Sequence, residues 1–272
     1  MKTIVKHLEK IEASGKRSHD VFRDWLALVE ASLRMLPKHL RSIRSENALA
    51  EDEPEVAETI ARIRGSYPEW CGEHFSHAFA ELLNLASWPI TDDVLGRIYM
   101  DYAYPNPNTG QFFTPFPVCL AMAQMNDVES LVVARLRLAW RQAGLADILR
   151  PTDVMLGSEY FVNMFSKQLL RNFEPVTVHD PTCGSGSMLL AVAAVCPPWM
   201  SQVGLIQYYG QDNDQICVLM ARTNMMLYGL NGYLGACLAD LENQVHAERK
   251  DFAVDFSGYR FEQASLFEAL EA

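Results

Sequence analysis

Val176-Thr177-Val178-His179-Asp180-Pro181-Thr182-Cys183-Gly184-Ser185-Gly186, followed by the apolar run Ser187–Cys196, decides the fold. The β-branched stretch 176–179 reads as a short buried strand, the proline and two glycines force a turn, and the run to Cys196 has the length and composition of a buried helix. The same order then repeats. Gly204–Gly210 reads as a strand, Gln211-Asp212-Asn213-Asp214 as a turn, and Gln215–Leu230 as a long helix. Strands alternating with helices imply parallel pairing through helical crossovers, hence an α/β class.

Upstream of Pro175 the texture is helical. Val21, Phe22, Trp25, Leu28, Val29, Leu33 and Leu36 recur at helical spacing, and the spacing predicts a helix from His19 that stops at Pro37 or shortly after it. The acidic cluster Glu51-Asp52-Glu53-Pro54-Glu55 reads as a helix N-terminus, with a plain solvated face as the alternative. Helical patterning continues over residues 69–102, breaks at Tyr104-Pro105-Asn106-Pro107-Asn108-Thr109-Gly110, and resumes over Val118–Met125 and Val128–Trp140. The division expected is an N-terminal helical region, residues 1–103, and an α/β domain, residues 104–272.

Composition narrows the function. The 272 residues are 49% hydrophobic and 21% charged, ordinary values for a globular chain. No apolar run is long enough for a membrane span and the start, Met1-Lys2-Thr3-Ile4-Val5-Lys6-His7, has no signal-peptide core, so a cytoplasmic location and no membrane partner are expected. The six cysteines are widely spaced with no C-x-x-C pair, which argues for reduced, buried thiols. His74 and His77 are close enough to share a helix face, but no spacing compels a metal site and none is expected. With 34 acidic against 23 basic residues, a net charge of −11, the molecule as a whole repels phosphate. Any nucleic-acid contact needs a local basic patch, and Pro37-Lys38-His39-Leu40-Arg41-Ser42-Ile43-Arg44 is the first place to look, with ordinary helical surface charge as its bland alternative.

Ligands of open α/β sheets sit beyond the carboxyl ends of the strands, where glycines admit them and an acid on the next strand can hold a ribose. Gly184 and Gly186 offer that approach and Asp212 that acid. Hydrogen bonds to a charged carboxylate are worth about 1.5–3 kcal/mol each, enough to decide whether a nucleoside binds. Neither a Walker lysine nor a complete G-x-G-x-x-G is present, and Asp180 beside the glycines would repel pyrophosphate while attracting an amino or sulfonium cation. S-adenosylmethionine carries both cations; the competing reading is a bare helix cap with Asp180 as an ordinary turn residue.

Three segments resemble the amino-group DNA methyltransferases, in particular the methylation subunit of type I restriction systems and small phage or plasmid N-6 adenine methylase-like proteins. Gly110-Gln111-Phe112-Phe113-Thr114-Pro115 is similar to the family's G-x-F-[FY]-T-P segment, and Asp180–Leu189 to its first strand-turn motif. Gly210-Gln211-Asp212-Asn213-Asp214, with Asn224–Leu230 closing the next helix, is similar to its ribose-binding segment. The resemblance implies a Rossmann-like S-adenosylmethionine-dependent methyltransferase fold, here with a shortened sheet. It implies that Gln111, Phe112, Phe113, Thr114 and Pro115 close over the methionine end of the cofactor and that Asp180, Pro181, Cys183, Gly184 and Gly186 hold its amino acid moiety. Asp212 takes the ribose, and Asp240 is either an adenine-side contact or a surface turn acid.

The sequence departs from the family where methyl transfer is done. An exocyclic amine needs a side-chain oxygen and a proline-fixed carbonyl to accept its hydrogens and a ring to stack on the flipped base, supplied in the family by [NDS]-P-P-[YFW]. Cys196-Pro197-Pro198-Trp199 has no such acceptor and is expected to be a helix terminator on the face away from the ligand. Asp255-Phe256-Ser257-Gly258-Tyr259, after a fourth-strand candidate at Phe252-Ala253-Val254, lacks both prolines. The residues beyond Asp212 suffice for about two more strand-helix units of roughly 30 residues each. The expected protein is therefore a DNA adenine N6-methyltransferase-like subunit or impaired homologue. DNA contact would come through a partner subunit, with a protein partner or self-association implied. A non-catalytic regulatory module or a structural adaptor remains the alternative.

Overall fold

In the structure, a computed structural model that describes residues 1–46, 48–103, 113–142 and 173–235, the N-terminal part is built of helices. In chain order these are α1 (Lys2–Glu12), α2 (Ser18–Glu46), α3 (Pro54–Gly65) and α4 (Cys71–Leu85). Helix α1 buries Ile4, Leu8 and Ile11, and α4 answers with Cys71, Phe75, Ala78 and Leu82. These steps of three and four put each set on one stripe, so the two helices close face to face.

Helix α2 corrects the sequence expectation: it passes through Pro37 and ends at Glu46. Proline removes one N–H and crowds the carbonyl four residues back, a loss that solvent makes tolerable once the helix has left the core. Leu36 and Leu40 are already 45% and 58% exposed. Beyond the proline, side chains add bonds to helix carbonyls, Arg41 Nε donating to Pro37 O at 3.2 Å and Ser45 Oγ to Arg41 O at 3.0 Å.

The acidic cluster does begin α3, with Pro54 in the first turn behind an extended Glu53. It is also more than a solvated face. Arg34 lies 3.2 Å from both Glu53 and Glu55, His39 lies 3.4 Å from Asp52, and Lys38 Nζ donates to Glu51 O at 3.0 Å. Lys38 and His39, in the basic segment singled out for phosphate, are thus engaged by this chain's own acidic loop. Exposed pairs of this kind add only about 0–1 kcal/mol each, so they set direction more than stability.

A short helix α5 (Val94–Ile98) runs into a π-helical turn, Tyr99–Ala103. Helices α6 (Phe116–Asn126) and α7 (Val128–Gln142) come next, matching the periodicity read over 118–140. The α/β part is then formed by β1 (Val176–Asp180), α8 (Ser187–Val195), α9 (Pro198–Gln202), β2 (Ile206–Gln211), α10 (Gln215–Tyr228) and β3 (Gly232–Gly235). The strands pair in parallel in the order β1-β2-β3, with Val176 opposite Ile206, Asp180 opposite Gly210 and Gln211 opposite Gly235. Gly232 is forced by this register: a Cβ there would overlap the Tyr208 carbonyl. The candidate fourth strand, 252–254, lies outside the described residues.

Helix α8 buries Leu189, Leu190, Ala191, Val192 and Ala193 and is apolar nearly all round, as a helix covered on both sides must be. It lies against β1 and packs on α6. Helix α10 is held at both ends. Asp214 accepts from Ile216 N at 2.8 Å, and Gly229 (φ +63) turns the chain so that Leu230 N reaches Met225 O at 2.9 Å. One face of α10 puts Val218, Ala221 and Met225 into the sheet core; the other puts Ile216, Cys217 and Met220 among Trp25, Leu95 and Tyr99. Ile216, Val218, Met220 and Met225 each contribute about 1.5–3 kcal/mol on full burial. The N-terminal helices and the sheet are therefore two cores that share α10.

Candidate functional site

The carboxyl ends of β1 and β2 meet the glycine turn. Asp180 ends β1 and its Oδ1 accepts from Thr182 N at 3.0 Å, which turns the chain sharply off the strand. The turn is then fastened to the neighbouring strand: Cys183 N donates to Gln211 O at 2.7 Å and Gly184 N to Asp212 Oδ2 at 2.9 Å. Gly210 makes room for this, since a Cβ there would run into the Leu234 side chain and come within 3.0 Å of Cys183 Sγ. Asp212 Oδ1 accepts from Asp214 N at 2.9 Å, so the same carboxylate orders the start of α10. A carboxylate has about four acceptor sites on its two oxygens, and two backbone donors leave the half-buried Asp212 with capacity for hydroxyls.

Gly184 (φ +53) and Gly186 (φ +89) both adopt the left-handed backbone that glycine alone takes without strain. At Gly184 the missing side chain is filled by Phe113, whose Cδ1 and Cε1 lie 3.0 Å from where a Cβ would stand. Phe113 in turn stacks on Tyr99, centroids 5.8 Å apart, and Tyr99 packs on Phe22. The end of the F-F-T-P segment and the glycine turn, far apart in sequence, are thus in contact. Thr114 and Pro115 are exposed, with Pro115 preceding α6 and Cys119 Sγ donating to Thr114 O at 3.6 Å. Gln111, Phe112 and Asp240 lie outside the described residues, as does 255–259. Of the remaining predicted residues, Phe113, Asp180, Cys183, Gly184, Gly186 and Asp212 share one locality, with the exposed Pro181 on the turn itself.

A network beneath the turn is absent from the sequence reading. Asp93 is 3% exposed and its Oδ1 accepts from Gly96 N and from Asn224 Nδ2, both at 3.0 Å. Its Oδ2 accepts from Ser187 Oγ at 2.6 Å and from Ser185 Oγ. Asn224 Nδ2 also reaches Ser185 O at 2.8 Å. Burial raises the Asp93 pKa, opposed by the hydrogen bonds from Ser185, Ser187, Gly96 and Asn224. A sequence signal did exist, because Thr91-Asp92-Asp93 before an apolar run is a helix-capping pattern; nothing in it tells which distant hydroxyls the cap would meet. A cavity of about 420 Å³ opens beside this network, between α5 and Phe113–Pro117, with Asp93, Gly96 and Ser187 in its wall.

The cysteines described are free and buried. Burial, reinforced by Asp180 and Asp212, pushes the Cys183 thiol up to about 12, so it is a neutral packing group and not a nucleophile. Cys196-Pro197-Pro198-Trp199 closes α8 and opens α9, on the return path to the start of β2 and therefore at the opposite end of the sheet from Asp180 and Asp212. His7 joins His74 and His77, with His7 Nδ1 3.2 Å from His74 Nδ1 and its ring stacked on His77. Among the described residues no group of three or more His, Cys, Asp or Glu is arranged to hold a metal ion, and no helix is long and apolar enough to cross a membrane.

Searches against curated proteins and against solved structures return no significant match. A family model described as N-6 DNA Methylase does match, over residues 159–261, a span that contains the glycine turn, Asp212 and the three strands of the described residues. Over that segment the chain is similar to the N-6 DNA methylase family.

Proposed function

We propose that the chain is an S-adenosylmethionine-binding protein of the DNA adenine N6-methyltransferase type, acting in the cytoplasm as a subunit of a larger assembly or as a catalytically impaired homologue. In this reading residues 104–272 form a Rossmann-like methyltransferase domain and residues 1–103 a helical region packed on it. The observation that carries the reading is the meeting of Phe113, Gly184 and Asp212 at the carboxyl ends of parallel strands. The residues suit the cofactor: a glycine cradle under an aromatic ring, a carboxylate with spare acceptor capacity, and a second carboxylate beside the glycines.

Each group has its role. Gln111 to Pro115 cover the methionine end, and Asp180, Pro181, Cys183, Gly184 and Gly186 line the amino acid moiety. Asp212 accepts the ribose hydroxyls, and Asp240, outside the described residues, is either the adenine-side contact or a surface turn acid. When bound, the cofactor supplies a methyl group activated on a sulfonium. What the chain supplies is orientation: Gly184 lets the backbone approach, and Asp180 and Asp212 favour a cationic nucleoside over a polyphosphate.

A non-catalytic or regulatory module is the second reading, and the position of Pro197 and Pro198 favours it. Those prolines sit at the far end of the sheet from Asp180 and Asp212, and the other candidate, 255–259, lies outside the described residues. DNA would then be contacted through a partner subunit. Calorimetric titration with S-adenosylmethionine and S-adenosylhomocysteine tests the reading: binding of either supports it. Absence of heat and of thermal shift with both refutes it.

A further inference from the structure

Asp93 takes no part in the roles above, yet it is the most heavily bonded buried carboxylate in the described structure. All of its acceptor capacity is used, by donors from three separate parts of the chain: Gly96 N on its own helix, the hydroxyls of Ser185 and Ser187, and the Asn224 amide of α10. Hydroxyls that donate to Asp93 cannot swing away from it, and Ser185 and Ser187 flank Gly186, so the turn is clamped from below on both sides of its left-handed residue. Asn224 doubles the clamp by holding Ser185 O. Gly96 shows how closely the parts are fitted, because a Cβ there would collide with the Asp93 carboxylate and stand 2.6 Å from Ser185 Oγ. A fully desolvated carboxylate is costly unless every lone pair is met; it is retained here at the junction of α5, the glycine turn and α10.

We propose that Asp93 is a positioning residue for the cofactor turn: a carboxylate carried by the helical N-terminal region fixes the shape of Cys183–Ser187, so that ligand affinity at the turn depends on α5. The proposal rests on the reading of this turn as the seat of S-adenosylmethionine, and its test separates the two.

The test compares the full-length chain with Asp93→Asn, Ser187→Ala and Asp24→Asn. Asp24 is a similarly buried carboxylate of the same helical region, bonded to Tyr67 at 3.0 Å and to Arg23 at 3.2 Å but not to the turn, so its variant reports general destabilisation. S-adenosylhomocysteine affinity is measured by calorimetry, and amide hydrogen exchange is read at residues 184–187 without ligand. Asp93→Asn is expected to weaken binding about tenfold or more, the loss of one charge-assisted hydrogen bond, and to speed exchange at the turn. Ser187→Ala, which only removes a hydroxyl, is expected to do the same to a smaller extent, and Asp24→Asn to do neither. Unchanged affinity and exchange in Asp93→Asn and Ser187→Ala, or an equal loss in Asp24→Asn, overturns the proposal. If the unaltered protein binds no ligand, the cofactor reading falls and exchange alone decides: faster exchange at 184–187 in Asp93→Asn upholds the positioning role, and unchanged exchange ends it.

Discussion

Gly184→Ala is the sharpest probe of how the glycine turn and Phe113 depend on each other. The substitution does two separable things. It puts an L-residue at φ +53, which costs about 1 kcal/mol. It also places a Cβ 3.0 Å from two carbons of the Phe113 ring, where carbon atoms prefer about 3.5–4.0 Å, so the ring must retreat. Because Phe113 is stacked on Tyr99, the retreat loosens a second contact; overpacking of this kind costs about 1–3 kcal/mol, and the partial exposure of Phe113 puts it near the lower end. The sum is about 2 kcal/mol, a fall in melting temperature of roughly 4–8 °C for a chain of this size. Gly229→Ala is the control, since Gly229 has φ +63 and nothing within 4 Å of a Cβ. Urea unfolding of Gly184→Ala, Gly229→Ala, Phe113→Ala and the Gly184→Ala/Phe113→Ala double variant isolates the contact. The two glycine variants should differ by about 1 kcal/mol, and the difference should vanish without the Phe113 ring. Equal costs for the two glycines, with no coupling to Phe113, would refute the reasoning.

Asp212→Ala removes the acceptor of both Gly184 N and Asp214 N; it should lower stability and weaken S-adenosylmethionine binding well beyond tenfold, and calorimetry showing native affinity would count against the ribose assignment. Cys183 and Cys196 are each held near 12 and Cys119 near 11, chiefly by burial, so at pH 8 they should react with iodoacetamide only on unfolding; rapid modification of folded protein at Cys183, mapped by mass spectrometry, would contradict this. Burial against α10 raises the Glu30 pKa, with Arg222 at 3.9 Å opposing. A carboxyl raised on folding contributes fully below its unfolded value, and that contribution is lost as pH rises through the folded value. Glu30→Gln should therefore lose less stability than the unaltered protein as pH rises above the ordinary carboxylate range, and identical urea-midpoint profiles would contradict the raised Glu30 pKa. Labelled methyl transfer to duplex DNA by the chain alone should be negligible; turnover typical of an active methyltransferase would overturn the impaired or subunit reading.

The strand-turn-helix units were legible because local rules set them: β-branched residues at 176–178, the glycines at 184 and 186, the Asp214 cap and the Gly229 terminus each act within a few residues. The parallel order came from the crossovers. Local rules also explain the error at Pro37, where the penalty for an internal proline was read without knowing that the helix had already left the core. What the sequence could not show was long-range. Asp93 looks like any cap until its other oxygen meets Ser185 and Ser187, about ninety residues away. Asp212 was legible as an acid at a strand end, but not as the acceptor that ties down Gly184. The pairing of Arg34 and His39 with residues 52–55 likewise depends on how the loop folds back, which charge patterning alone does not encode.

Backbone amide shifts during titration with S-adenosylhomocysteine address the location and the chemistry together. A cofactor seated at the glycine turn predicts saturable shifts concentrated at Phe113, Cys183–Ser187 and Asp212–Asp214, with the far ends of the strands near Val176 and Ile206 unmoved. Shifts confined to α1–α4, or none at all at saturating ligand, would contradict it.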